Sequence, residues 1–124
     1  MNGADYLIDT NIIIYLTQGK LKTSDFAKKG SNLYISSITY MEAIGYSFPN
    51  HNEEEAVTEL CNMFKRLFLS EAVEKQTIIL RKANKIKLPD AIIAATAIVH
   101  NLTLVTHNSD DFKNILKLKV LNPL

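Results

Sequence analysis

Asp9, Glu42, Asp90 and Asp111 each stand where an apolar run gives way to a helix-like start, and together they are spread over nearly the whole chain. Each has an ordinary structural use. Asp9 reads as the N-cap of a first helix, Thr39 with Glu42 fits a capping box, Asp90 follows Pro89 in a first turn, and Asp110 and Asp111 begin a last helix. Capping contributes only about 1 kcal/mol per site and is served equally by serine, threonine or asparagine. It does not by itself require acids at every junction. In an open parallel sheet the chain enters each helix from the carboxyl end of a strand, so acids at such junctions converge on one edge. Converging carboxylates imply a cation of the Mg²⁺ or Mn²⁺ type, which prefers hard oxygen ligands and keeps several waters. Such a site suits phosphodiester hydrolysis, where water must be activated and charge on the leaving oxygen stabilised. One ion would serve, or two about 3.5 to 4 Å apart. Without metal, crowded carboxylates repel one another, and at least one pKa rises.

The elements that must position these acids alternate between strand and helix. Tyr6 to Ile8 reads as a short buried strand and Ile12 to Leu16 as a buried helix. Lys22 to Lys29 reads as a short helix ending at Gly30, Leu33 to Ser36 as a strand, and Thr39 to Tyr46 as a helix stopped before Pro49. From Asn52 to about Leu67, apolar residues recur at Ala56, Val57, Leu60, Met63, Phe64 and Leu67, which predicts one amphipathic helix. Phe68 and Leu69 fit a brief strand, Ser70 can cap a helix running to about Lys85, and Pro89 suits the first turn of a helix reaching His100 or Asn101. Leu102 to Thr106 is rich in β-branched residues and leucine and predicts a strand. A short helix from Ser109 and a strand near Leu118 to Leu121 complete the set. This alternation indicates an α/β fold with a mainly parallel sheet.

Three stretches carry a family resemblance: Asp-Thr-Asn at residues 9–11, the Leu-Pro-Asp-Ala-Ile-Ile-Ala-Ala-Thr-Ala run from Leu88, and Thr-x-Asn-x-x-Asp-Phe from Thr106 to Phe112. In order and spacing the chain resembles the PIN-domain nucleases, and within them the VapC-like toxins of bacterial toxin–antitoxin pairs, from Asp5 to about Asn122. The resemblance implies a three-layer α/β/α PIN-like fold and a Mg²⁺- or Mn²⁺-dependent endoribonuclease. It assigns Asp9, Glu42, Asp90 and Asp111 to the metal-binding and catalytic acids, with Phe112 selecting Asp111 over the adjacent Asp110. Thr10, Asn11, Thr106 and Asn108 match the polar residues that support those acids. His107 stands where the family often has arginine. The implied partners are an RNA substrate, a small antitoxin protein and a second copy of the chain in a homodimer.

The chain has 124 residues, 47% of them hydrophobic, enough for one domain spanning residues 1–124. No apolar run approaches the ~20 residues of a membrane span and the amino terminus lacks a signal-like pattern, so a cytoplasmic chain is expected. Cys61 is the only cysteine, which excludes an internal disulfide and leaves a buried apolar role for it. A net charge of +1 gives no global attraction for nucleic acid, so any contact with RNA must be local. Arg81, Lys82, Lys85 and Lys87 cluster before Asp90 and, with His107, are the candidates. Taken singly, each basic residue also fits a solvated helix end. His51 and His100 fit surface or capping roles. The five tyrosines fit packing at the core or an interface more readily than base stacking. Two rivals arise. A phosphatase of the haloacid-dehalogenase type needs a second aspartate two residues after the first, and Asn11 occupies that place. A non-catalytic PIN module would use the acids only as caps while binding RNA or protein.

Overall fold

The computed structural model describes residues 5–124 and has five strands and five α-helices. In chain order these are β1 (Tyr6–Ile8), α1 (Thr10–Thr17), β2 (Leu33–Ser36), α2 (Ser37–Ile44), α3 (His51–Met63), β3 (Lys65–Leu67), α4 (Glu71–Ala83), α5 (Leu88–Val99), β4 (Thr103–Val105) and β5 (Lys119–Leu121). Every strand pairing is parallel, in the order β3-β2-β1-β4-β5. The expected three-layer α/β/α arrangement is the one observed.

Alternation along the strands builds the layers. Leu7 and Leu104 face one side, where they join Val73 and Leu80 of α4, Ile93, Ala94 and Ala97 of α5, and Phe112. Ile8, Ile35 and Val105 face the other, against Ile12 and Ile13 of α1, Ala43 of α2, and Val57 and Cys61 of α3. Cys61 is free and buried, as expected. The α5 helix presents an almost continuous buried surface of small residues, with Ala91, Ala94, Ala95 and Ala97 fully buried, which lets it lie close to the sheet.

The sheet order also fixes where a crevice opens. From β1 the chain moves outward through β2 to β3, then returns to the other side of β1 as β4. At that reversal, neighbouring connections leave the sheet on opposite faces, and a cleft forms beyond the carboxyl ends of the two strands. Asp9 follows β1 directly and Thr106 follows β4 directly. Both lie at this switch point.

Three boundaries differ from the sequence expectation. The segment expected as one helix to Leu67 breaks at Phe64, whose φ of −93° and ψ of 151° are extended, and residues 65–67 pair with β2 instead. Phe64 and Leu67 continue the helical spacing in sequence, yet residues 65–67 take their backbone partners from β2 and so add the edge strand of the sheet. The brief strand is therefore Lys65–Leu67, and Phe68 and Leu69 lie beyond it, exposed. Lys22 to Lys29 forms only a 3₁₀ turn at Thr23–Asp25, because a stretch this short with no buried residue of its own cannot offset helix nucleation. Ser36, not Thr39, caps α2 by accepting from the Thr39 N–H at 3.1 Å. The helix thus starts two residues earlier than expected and ends at Ile44, with Gly45 as its C-cap.

Candidate active site

Asp9 is the centre of the switch-point crevice and is only 6% exposed. Its Oδ1 accepts the Thr10 N–H at 2.8 Å, which caps α1, and its Oδ2 accepts the Thr106 hydroxyl at 2.8 Å and the Asn11 amide at 3.2 Å. Burial pushes its carboxyl above the usual aspartate range, bonds from Thr106, Thr10 and Asn11 oppose the rise, and the Glu42 charge adds to it. The direction of the Thr106 bond is fixed by its surroundings. Thr106 Oγ1 already accepts from Asn11 Nδ2 at 3.3 Å and from the Asn108 N–H at 3.1 Å, so its own proton is left for Asp9. Asn11 Oδ1 accepts the His107 N–H at 2.9 Å, which fixes the amide orientation.

The other acids gather around Asp9. Thr10 donates its hydroxyl to Glu42 Oε1 at 2.8 Å, tying α2 to the start of α1. Asp90 is half-buried at the start of α5, and its carboxyl is raised first by burial and then by the charges of Asp9 and Asp111, with Lys87 opposing. Asp111 lies in a 3₁₀ turn, Ser109–Phe112, held in place by the buried Phe112 ring.

Capping explains only one of the four. Glu42 lies late in α2, whose cap is Ser36, so the expected Thr39–Glu42 capping box is absent. The α5 cap position is Lys87, without a side-chain cap bond. Among the described residues no protein donor reaches the carboxylates of Asp90 or Asp111. Crowded carboxylate oxygens without donors are what a hard divalent cation takes as ligands, so this donor set fits such an ion. Among the described residues, no three Asp, Glu, His or Cys side chains meet as a ready ligand cage.

The supporting residues Thr10, Asn11, Thr106 and Asn108 are all in the network just described. The basic candidates divide. Lys87 lies beside Asp90 and His107 beside Asn11. Arg81 and Lys82 are exposed in the last turn of α4 and Lys85 in the following loop; among the described residues none of these three bonds to a site residue. Sequence reasoning also missed a groove of about 540 Å³ between α1, α2 and α3, which opens beside Thr10 and Glu42 and is lined by Ile14, Tyr46, Phe48 and Val57. Its liners come from three separate elements at unrelated spacings, so no local pattern marks them.

A family model described as PIN domain matches residues 6–118. The chain belongs to the PIN-domain family. This PIN domain is 36% identical over 126 residues to Ribonuclease VapC1 of Rickettsia felis, covering 93% of each chain. It is 31% identical over 128 residues to Ribonuclease VapC1 of Haemophilus influenzae, covering 92% of this chain and 94% of that one. Among solved structures, a toxin–antitoxin complex from Klebsiella pneumoniae is similar with a TM-score of 0.79 at 33% identity, covering 96% of this chain and 98% of that chain. The VapBC-1 structure from nontypeable Haemophilus influenzae is similar with a TM-score of 0.75 at 27% identity and the same coverage. Among the described residues no helix is long and apolar enough to cross a membrane.

Proposed function

We propose that this PIN domain is a metal-dependent endoribonuclease, the toxin of a toxin–antitoxin pair acting in the cytoplasm. The relatives named ribonuclease and the neighbouring toxin–antitoxin complex support an RNA substrate and an antitoxin protein as partners. The observation that carries the chemistry is the buried Asp9 carboxylate, pinned at the sheet's switch point by Thr106 and Thr10, with the charges of Glu42 and Asp90 near it and Asp111 beside Asp90. Asp9, Asp90 and Asp111 are the residues that would hold Mg²⁺ or Mn²⁺. When bound, such an ion lowers the pKa of water and stabilises charge on the leaving oxygen.

The rest falls to the chain's own side chains. Thr106 and Asn11 keep Asp9 oriented and charged against its burial. Thr10 holds one oxygen of Glu42, and the second oxygen, without a protein donor among the described residues, serves as a ligand or takes the proton of the attacking water. A water oxygen joins phosphorus as one ester P–O bond breaks, and the leaving oxygen collects a proton. Lys87 attracts the phosphate chain toward Asp90. A homodimer is part of the same reading. The non-catalytic module gains no support, since three of the four acids do no capping.

Purified protein incubated with structured and single-stranded RNAs in Mn²⁺, Mg²⁺ or EDTA, beside an Asp90→Asn control, tests this reading. Cleavage that requires both metal and Asp90 is expected. Cleavage that persists in EDTA or in the variant would sink the mechanism.

A further inference from the structure

Two surfaces flank the acid pocket, and their charges are opposite. The groove between α1, α2 and α3 has Glu42 and Glu53 as its charged liners. A phosphate chain is repelled there. On the other flank, the face of α1 that carries Asn11 and, one turn on, Tyr15 meets the segment following β4. His107 is exposed there, but its backbone is fixed on both sides: its N–H donates to Asn11 Oδ1 at 2.9 Å, and its carbonyl accepts Asn122 Nδ2 at 3.2 Å. The imidazole and the Tyr15 ring form a T-shaped pair, with ring centres 5.5 Å apart and planes at 87°. Lys20 Nζ lies 6.0 Å from the centre of the same tyrosine ring.

We propose that Tyr15, His107 and Lys20 form a ledge for the nucleotide adjoining the scissile phosphate, the base stacking on the exposed imidazole and a neighbouring phosphate pairing with Lys20. The inference rests on the ribonuclease reading of the acid pocket. Charge decides the direction of the strand, because of the two flanks only this one sets a cation, Lys20, beside an exposed aromatic side chain, His107. Stacking of this kind tolerates any base, so the ledge sets the position of the strand more than its sequence. The hydrogen bond from the His107 N–H to Asn11 ties the ledge to the side chain that also holds Asp9. A base seated on His107 is therefore held in fixed relation to the reacting centre, and His107 is a positioning residue.

Two measurements on the full chain separate this inference from the function it rests on. The first is anisotropy of a labelled single-stranded RNA in the uncleaving Asp90→Asn background with Mg²⁺, and the second is cleavage in Mn²⁺ with Asp90 intact. His107→Ala should weaken binding and raise KM by roughly tenfold while kcat stays within about twofold. His107→Phe should recover most of the loss. Lys20→Gln should flatten the slope of log affinity against log salt by about 0.7. If the parent cuts RNA while His107→Ala and Lys20→Gln bind and cut unchanged, the ledge is overturned and the ribonuclease stands, leaving this flank to a protein partner. If His107→Ala weakens binding but the parent cuts RNA with neither Mn²⁺ nor Mg²⁺, the RNA contact at His107 stands while the ribonuclease reading, and with it the ledge's place beside a scissile phosphate, falls. Absence of RNA binding by every form overturns both.

Discussion

A carboxylate as deeply buried as Asp9 stays useful only if its neighbours supply what water no longer does, and Thr106 does most of this. Thr106→Val removes the donor to Asp9 and also the acceptor for Asn11 Nδ2 and the Asn108 N–H. The expected result is a 10- to 100-fold loss of Mn²⁺ affinity, readable by calorimetry, with a stability cost of about 1–3 kcal/mol. Unchanged metal binding would show that Asp9 does not depend on this bond. The raised carboxyls of Asp9 and Asp90 also give a pH signature. In the folded chain they hold protons at pH values where the unfolded chain has released them, so this stabilising contribution is full below the unfolded pKa of ~3.9 and is lost as pH rises through the higher folded values. In metal-free buffer, the melting temperature of Asp90→Asn relative to the parent should therefore start near parity in acid and climb as pH rises. A flat difference across that range would mean that neither burial nor the neighbouring acids raise the Asp90 carboxyl.

At the scale of elements, the end of α2 determines where Glu42 sits. A Cβ on Gly45 would stand 2.5 Å from the Met41 carbonyl oxygen, so Gly45→Ala must shift the last turn of the helix. Destabilisation of about 1–3 kcal/mol is expected in a denaturant melt, as for other overpacked sites; no change would show that the turn relaxes freely. Legibility in the sequence was uneven across elements, for physical reasons. The strands at Tyr6 to Ile8 and Leu33 to Ser36 and the α5 helix were readable because their burial makes them predominantly apolar and Pro89 marks a start. The break at Phe64 was not, because the residues of β3 continue the helical spacing of α3 and only pairing with β2, remote in sequence, decides the matter. The α2 start was misread for a related reason: Ser36 ends one element and caps the next, so its side chain belongs to both.

For the whole molecule, metal binding to the folded state alone should stabilise it. Mn²⁺ at ~100 times its dissociation constant adds roughly 2.7 kcal/mol, a rise of several degrees in melting temperature for a chain of this size. Asp9→Asn should abolish the rise, and a metal response surviving in that variant would place the ion elsewhere. Asp9 and Asp111 were legible at this scale because each follows a strand, whereas Glu42 lies inside α2 and Asp90 follows a helix, so their expected places at strand-to-helix junctions are not the ones observed. Their mutual crowding, and the division of the basic residues into Lys87 and His107 beside the site and Arg81, Lys82 and Lys85 away from it, depends on the sheet order, which no local pattern carries. That order has a consequence in time. Asp9 is synthesised well before its key donor, Thr106, 97 residues later, and the Thr106 N–H is itself held by the Leu121 carbonyl at 3.0 Å. A chain still emerging from the ribosome therefore carries its acids without a pocket, and the finished product alone is armed.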